Sequence, residues 1–276
     1  MKRIFITNLM FILILFFLYS SNASAALPVK ILLVPGHDNE VWGAQYGNIK
    51  EADMNLRLAN ELLKIFKKDK RFEVYITRDH LGYTTPFANF FSRPEEIIAF
   101  KENAKQQFQQ KISTGEVVAK EDVVHHNTVN SYVSLILYGI NKWANDNKMD
   151  AVMHIHFNDY PRESKWMMGE YRGFSMYVPD EQMVNGEVSM NLAESIFAEL
   201  RKKYISSTYP PESTGIIPEQ SLIAIGSNGT LLESVRSVLV EYGYIYRFRN
   251  TALRHQAYKD MARLTGKGIQ NYFFPK

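Results

Sequence analysis

Residues 29–37 read VKILLVPGH. A nearly unbroken apolar run closed by Pro35 and Gly36 is the pattern of a central strand in a parallel sheet, because such a strand is covered on both faces and leaves neither to water. It delivers His37 to the strand's carboxyl end. Just downstream, Glu51 opens a segment in which Leu56, Ala59, Leu63 and Phe66 recur at helical spacing, with Lys64, Lys67, Lys68 and Lys70 at the far end, where cations complement the helix dipole. Residues 72–77, FEVYIT, alternate as a second strand.

The same rhythm continues along the chain. AVMHIH at 151–156 is a compact strand that leaves His156 at its edge, before the polar turn Phe157-Asn158-Asp159. A strand at 173–178 is followed by a helix over 190–204 and a loop bearing Pro210, Pro211 and Pro218, with a short apolar run at 222–225. The last strand falls at 238–241, VLVE, and after Gly243 a final helix carries Leu253, Ala257, Met261, Leu264 and Gly268 on one face. Strands alternating with amphipathic helices predict an α/β fold: one mostly parallel twisted sheet, flanked by helices on both faces, in a single domain spanning 26–276. Residues 81–137 interrupt the rhythm with a helix near 95–111, a break at Gly115, a charged patch at 121–126 and the start of a helix running towards Asn145. This stretch reads as an insertion or lid.

Composition narrows the function classes. At 276 residues, 46% hydrophobic and 22% charged, the chain is an ordinary globular protein with one sizeable core. Residues 1–25 read as a signal peptide: Lys2 and Arg3, then an apolar run at 9–19, then Ala23-Ser24-Ala25 as a small-x-small cleavage pattern. The run is well short of the roughly 20 residues of a membrane-spanning helix, so the reading is export to the periplasm, the cell wall or the medium, without stable membrane insertion after cleavage. Without Lys2 and Arg3, the 32 basic and 29 acidic residues come close to balance, which argues against nucleic acid as a partner. Cysteine is absent, so thiol chemistry is excluded and stability rests on packing, helped by any bound metal.

His37, His156 and Glu241 stand at strand ends and Glu51 opens a helix. In open α/β sheets ligands bind at the carboxyl ends of strands, so three of the four converge on one rim and the fourth can reach it. Two histidines and a carboxylate leave zinc's fourth position to water, the catalytic rather than the structural arrangement, and hydrolysis follows from it. Taken singly, His37 could merely shape its turn and Glu51 could merely serve the dipole. Glu241 is harder to explain structurally, since a carboxylate ending a buried strand needs a partner or a raised pKa. His154 and His156 share a strand face; His154 is either a further ligand or a hydrogen-bonded neighbour. The pair His125-His126 reads as part of a solvated loop, and the aromatic cluster Tyr242, Tyr244, Tyr246 and Phe248 as core and rim packing.

The motifs taken in order resemble the zinc-dependent N-acetylmuramoyl-L-alanine amidases. The opening VPGHDNEVWGAQYGNIKEADMNLRLANEL is similar to that family's strand-PGH, glycine-rich stretch and glutamate-led helix; VYITRD, WANDNKMDAVMHIHFND, RGFSMYV, SVLVEYGYI and the closing GIQNYF follow in the same order. The resemblance implies a phosphorylase/hydrolase-like sheet, His37, Glu51 and His156 as ligands of Zn2+, and Glu241 as the catalytic carboxylate. It implies a peptidoglycan or muropeptide substrate cut between the lactyl group of N-acetylmuramic acid and L-alanine. Some relatives carry an inserted helix that covers the site until a partner removes it, which implies an activator protein acting on 81–137. Three positions depart from the family pattern: Asp38-Asn39 replaces a glycine pair, His154 stands where serine is usual, and Ile140 where an arginine is expected. The rival readings are an inactive wall-binding protein on the same fold and a zinc peptidase acting on another amide.

Overall fold

A computed structural model describes residues 27–121 and 129–275 of the chain. Residues 1–25, read above as a signal peptide, and the pair His125-His126 lie outside them. In chain order the strands are β1 (Val29–Pro35), β2 (Gln45–Tyr46), β3 (Ile49–Lys50), β4 (Phe72–Ile76), β5 (Ala151–Asn158), β6 (Ser175–Pro179), β7 (Ile216–Glu219) and β8 (Arg236–Tyr244). The helices are α1 (Glu51–Phe66), α2 (Thr85–Phe91), α3 (Pro94–Ser113), α4 (Ser131–Asp146), α5 (Gly186–Leu200) and α6 (Thr251–Phe273).

One sheet has the order β4-β1-β5-β8-β6-β7, and β2 with β3 forms a separate small hairpin. The pairs β1–β4, β1–β5, β5–β8 and β6–β7 are parallel, and β6 meets β8 antiparallel. The mostly parallel sheet predicted from the strand–helix alternation is therefore the one observed, with helices on both faces. Alternation within β1 decides which residue meets which layer. Ile31 and Leu33 pack with Met153, Ile155 and Val240 against Met54, Leu58 and Leu62 of α1, in the layer that α5 and α6 complete. Leu32, Val34 and Val152 face the other way, onto Phe87 of α2, Ile97 of α3, and Ile136, Ile140 and Trp143 of α4. Each such side chain, fully buried, is worth roughly 1.5–3 kcal/mol of transfer free energy, so the two layers together hold the sheet.

The segment 81–137 thus supplies α2, α3 and the first part of α4. Asn130 caps α4 by accepting from the Val133 amide at 2.9 Å. Further along α4, the Asn141 side-chain amide donates to the Ile223 carbonyl at 2.8 Å and that of Asn145 to the Thr230 carbonyl at 2.8 Å, fixing the helix against the 222–230 connection.

Some local readings move. The last strand runs past Glu241 through Gly243, whose φ of 142° only glycine adopts freely, and ends at Tyr244. Leu253, expected on the buried face of the final helix, is 70% exposed, because that helix makes its apolar contact only from Ala257 onward. The helix expected from residue 190 begins at Gly186. Among the described residues no helix is long and apolar enough to cross a membrane.

Candidate metal centre

β1 ends at Pro35, and two residues later His37 takes a left-handed backbone, φ 60°. A side chain larger than glycine in that region costs on the order of 1 kcal/mol, and such a conformation persists only where its surroundings impose it. Here the imposing group is the buried guanidinium of Arg78, just beyond β4. It donates to the carbonyls of Pro35 at 3.2 Å, Gly36 at 3.1 Å and Ala52 at 2.8 Å, tying the ends of β1 and β4 to the start of α1. Gly36 itself is required by close approach, since a Cβ there would lie 2.1 Å from the His156 ring.

Glu51 is the first residue of α1 and is 4% exposed. Its Oε2 lies 3.1 Å from His37 Nε2 and its Oε1 lies 3.0 Å from His156 Nδ1. The two imidazoles meet edge to face with centroids 5.2 Å apart. Backbone amides complete the cradle: Ala44 donates to Oε2 at 2.9 Å and Phe157 to Oε1 at 3.2 Å, while the Asn55 side chain donates to Oε1 at 3.2 Å. Gly43 follows the same logic as Gly36, because a Cβ there would meet Glu51 Oε2 at 2.4 Å.

One ligand atom from each of His37, Glu51 and His156 falls within 4.8 Å of the others. The donor set of two imidazole nitrogens and a carboxylate suits zinc. Burial pulls the His37 pKa down, but Glu51 more than offsets it and raises it, so a metal would take that ring by displacing a proton. Burial alone would raise the Glu51 carboxyl, but the His37 and His156 rings more than offset it and hold the group well below the usual carboxylate range, ready as an anion. Burial keeps His156 below its ordinary value despite Glu51, so its ring is neutral, as a ligand must be.

Glu241 stands on β8, in register with His156 of β5 on one side and Ser175 of β6 on the other. Its Oε2 is buried with no hydrogen-bond partner. Burial first, then the nearby carboxylates of Glu51 and Glu212, raise its pKa well above the ordinary value. The four residues singled out in the sequence are thus brought together from the carboxyl-terminal parts of β5 and β8, the turn after β1 and the start of α1. His154, left open between ligand and neighbour, stands outside the ligand group. Its ring is 1% exposed, and burial together with His156 pushes its pKa down to about 3.

Three contributors are not evident from the sequence pattern. Arg78 closes a strand in the VYITRD motif, where the pattern marks no role for it. Glu212, in the proline-bearing loop, is buried and accepts from Asn158 Nδ2 at 2.7 Å, Tyr177 OH at 2.7 Å and Tyr244 OH at 3.0 Å, anchoring that loop beneath β8 and β5. Asp38 accepts at Oδ1 from the Glu40 and Val41 amides, and at Oδ2 from Tyr83 OH at 3.0 Å and Tyr132 OH at 3.3 Å, joining the His37 turn to α4.

The model of the N-acetylmuramoyl-L-alanine amidase family matches residues 31–271. Among solved structures, the chain is similar to the CwlD amidase of Clostridioides difficile, solved in complex with the GerS lipoprotein, at 16% identity and a TM-score of 0.57, covering 89% of this chain and 98% of that one. The catalytic domain of CwlV, an N-acetylmuramoyl-L-alanine amidase from Bacillus (Paenibacillus) polymyxa var. colistinus, is 17% identical with a TM-score of 0.55, over 90% of this chain and 99% of that one. The apo Ami1 amidase of Mycobacterium abscessus is 15% identical with a TM-score of 0.55, over 90% and 99%. At these identities the structures establish the shared fold. None of the curated proteins is significantly similar to the chain in sequence.

Proposed function

The chain belongs to the N-acetylmuramoyl-L-alanine amidase family, and on that footing we propose that it is an exported zinc hydrolase cutting the amide between the lactyl group of N-acetylmuramic acid and L-alanine of the peptidoglycan stem peptide. The observation that carries the reading is the His37–Glu51–His156 group with a buried, unpartnered Glu241 oxygen in register beside it. Zinc held by those three residues supplies Lewis acidity, polarising a carbonyl and acidifying water.

The chain's own residues do the rest. Glu51, fixed by the Ala44 and Phe157 amides and Asn55, holds both histidine rings in orientation. Glu241 takes a proton from the attacking water at its free oxygen, the hydroxyl adds to the lactyl carbonyl carbon, and the same carboxyl returns the proton to the L-alanine nitrogen as the C–N bond breaks. A carboxyl whose pKa is raised suits both halves of that cycle, since it is a stronger base than an ordinary carboxylate and can still give the proton back.

Export belongs to this proposal, since the bond lies in the wall, and residues 1–25 carry the pattern for it. An activating protein acting on 81–137 belongs to it as well, with the lipoprotein complex of CwlD as the parallel. Mass spectrometry of purified peptidoglycan after incubation with the zinc-loaded protein tests the reaction. Release of stem peptides with a free L-alanine amine is the expected result; new termini inside the peptide would make the protein a peptidase, and intact wall, with any candidate activator added, would make it a binding protein.

A further inference from the structure

Two of the chain's three tryptophans are exposed, and both stand at the β2–β3 hairpin. Trp42 is 40% exposed and Trp166 is 61% exposed, whereas Trp143 packs in the core layer under α4. Single exposed apolar side chains need no explanation, but large ones grouped beside a catalytic centre mark a binding surface.

The hairpin joins that surface to the metal centre. At its start the Ala44 amide donates to Glu51 Oε2 at 2.9 Å, and the Glu51 amide donates back to the Ala44 carbonyl at 2.9 Å. Three residues on, about 10 Å along an extended chain, lies the Gly47 turn. Gly47 has a φ of 56° and its bare Cα seats the Trp166 ring, which a Cβ there would approach to 2.5 Å. Trp42 is pinned near the hairpin's other end: its indole N–H donates to the Asn39 carbonyl at 2.8 Å, and the Lys50 ammonium lies 3.2 Å over its ring.

The β5–β6 loop that carries Trp166 is fixed from both sides. Arg162 pairs with Asp159 at 2.7 Å and donates to the carbonyls of Gln45 at 2.8 Å and Met167 at 2.9 Å. Arg247 donates to the carbonyls of Gly169, Glu170 and Tyr171. Yet Trp166, Met167 and Met168 at the tip are all exposed. A backbone held this way with apolar side chains turned to water is a preorganised recognition surface, since little ordering is left for binding to impose.

We propose that Trp166 and Trp42 form a glycan platform, on which pyranose rings of the wall's N-acetylated sugar strand lay their C–H faces, aligning the strand along the hairpin with its lactyl amide at the metal centre. This rests on the amidase reading above for the identity of the strand. A stem peptide of mainly small and charged side chains has little apolar surface to match an indole face. Charge disfavours a bilayer as the occupant: over residues 159–170, Asp159, Glu163 and Glu170 stand against Arg162 and Lys165, without the basic excess that draws a segment to anionic lipid.

The test is calorimetric binding of the zinc-loaded full chain to peptide-free oligomers of alternating N-acetylglucosamine and N-acetylmuramic acid, which contain no scissile amide. Wild type is expected to bind, and Trp166→Ala to bind at least about tenfold more weakly, the scale of losing one tryptophan anchor. Trp166→Phe should recover most of that loss, and adding Trp42→Ala to Trp166→Ala should deepen it. Melting temperatures at the wild-type value are expected for the Trp166 variants, because the side chain is exposed. Equal affinity of wild type and Trp166→Ala, or no binding by wild type, would overturn the platform. So would co-sedimentation with phosphatidylglycerol vesicles that depends on Trp166 and takes the place of glycan binding. Nothing is cut in this assay, so a failed amidase reading shows separately, as wall from which no stem peptide is released.

Discussion

Two buried polar side chains on the same side of the molecule are treated in opposite ways. The Glu51 carboxylate has both oxygens engaged, by two histidines, two backbone amides and an asparagine. The His154 ring, two residues before one of those histidines, has no side-chain partner and only the Ala224 backbone to answer it. The first arrangement is a pre-built anion whose surroundings fix its position before any cation arrives, and the second is a polar group held in reserve on the floor of an apolar pocket between the sheet and α4. The contrast separates what the fold has completed from what it has left open.

The largest effect expected from disturbing the completed half is loss of its metal. Stripping the protein with a chelator and assaying wall digestion should abolish activity, with recovery on zinc addition; full activity in the stripped protein would break the comparison at its root. Next in size is the support beneath His37. Arg78→Ala removes a donor to three buried carbonyls, of which Gly36 keeps its bond from the Asn55 side chain. At about 1–3 kcal/mol for each of the other two, a loss of roughly 2–6 kcal/mol in urea denaturation is expected, and a loss under about 1 kcal/mol would mean that the His37 turn holds itself.

The reserved half predicts the opposite sign. His154→Leu replaces a buried ring without side-chain partners by an aliphatic group on an aliphatic floor, so the protein should gain about 1 kcal/mol and melt higher. Destabilisation would show that the ring is satisfied in the folded protein. The smallest effect sharpens the comparison from Glu241. Glu212→Gln withdraws one of the carboxylates that raise the Glu241 pKa, so the acid limb of the kcat/KM profile, where Glu241 loses activity by becoming protonated, should move to lower pH. An unmoved or rising limb would put that limb on another group.

The sequence made the completed half visible because its parts are strand and helix ends. Periodicity places His37, His156 and Glu241 at the close of apolar runs and Glu51 at the start of an amphipathic one, and topology brings those ends together. Arg78 and Glu212 carry no such mark. One follows a half-buried strand and the other sits in a proline-bearing loop, and each matters only through carbonyls and hydroxyls supplied by distant segments. The pocket is equally silent, because it lies between the sheet and α4, and the spacing between packed layers is not encoded in either element alone. Leu253 shows the limit of periodicity from the other direction: its position fits the apolar face, but the helix has not yet reached its neighbours there.

The division of labour between ligands and acid–base residue is tested most directly by measuring zinc content and peptidoglycan hydrolysis side by side for Glu51→Gln and Glu241→Gln. Glu51→Gln should lose both zinc and activity. Glu241→Gln should keep one zinc per chain while hydrolysis falls by about 10²–10⁴-fold. Glu241→Gln protein that hydrolyses wall at the wild-type rate would contradict the account.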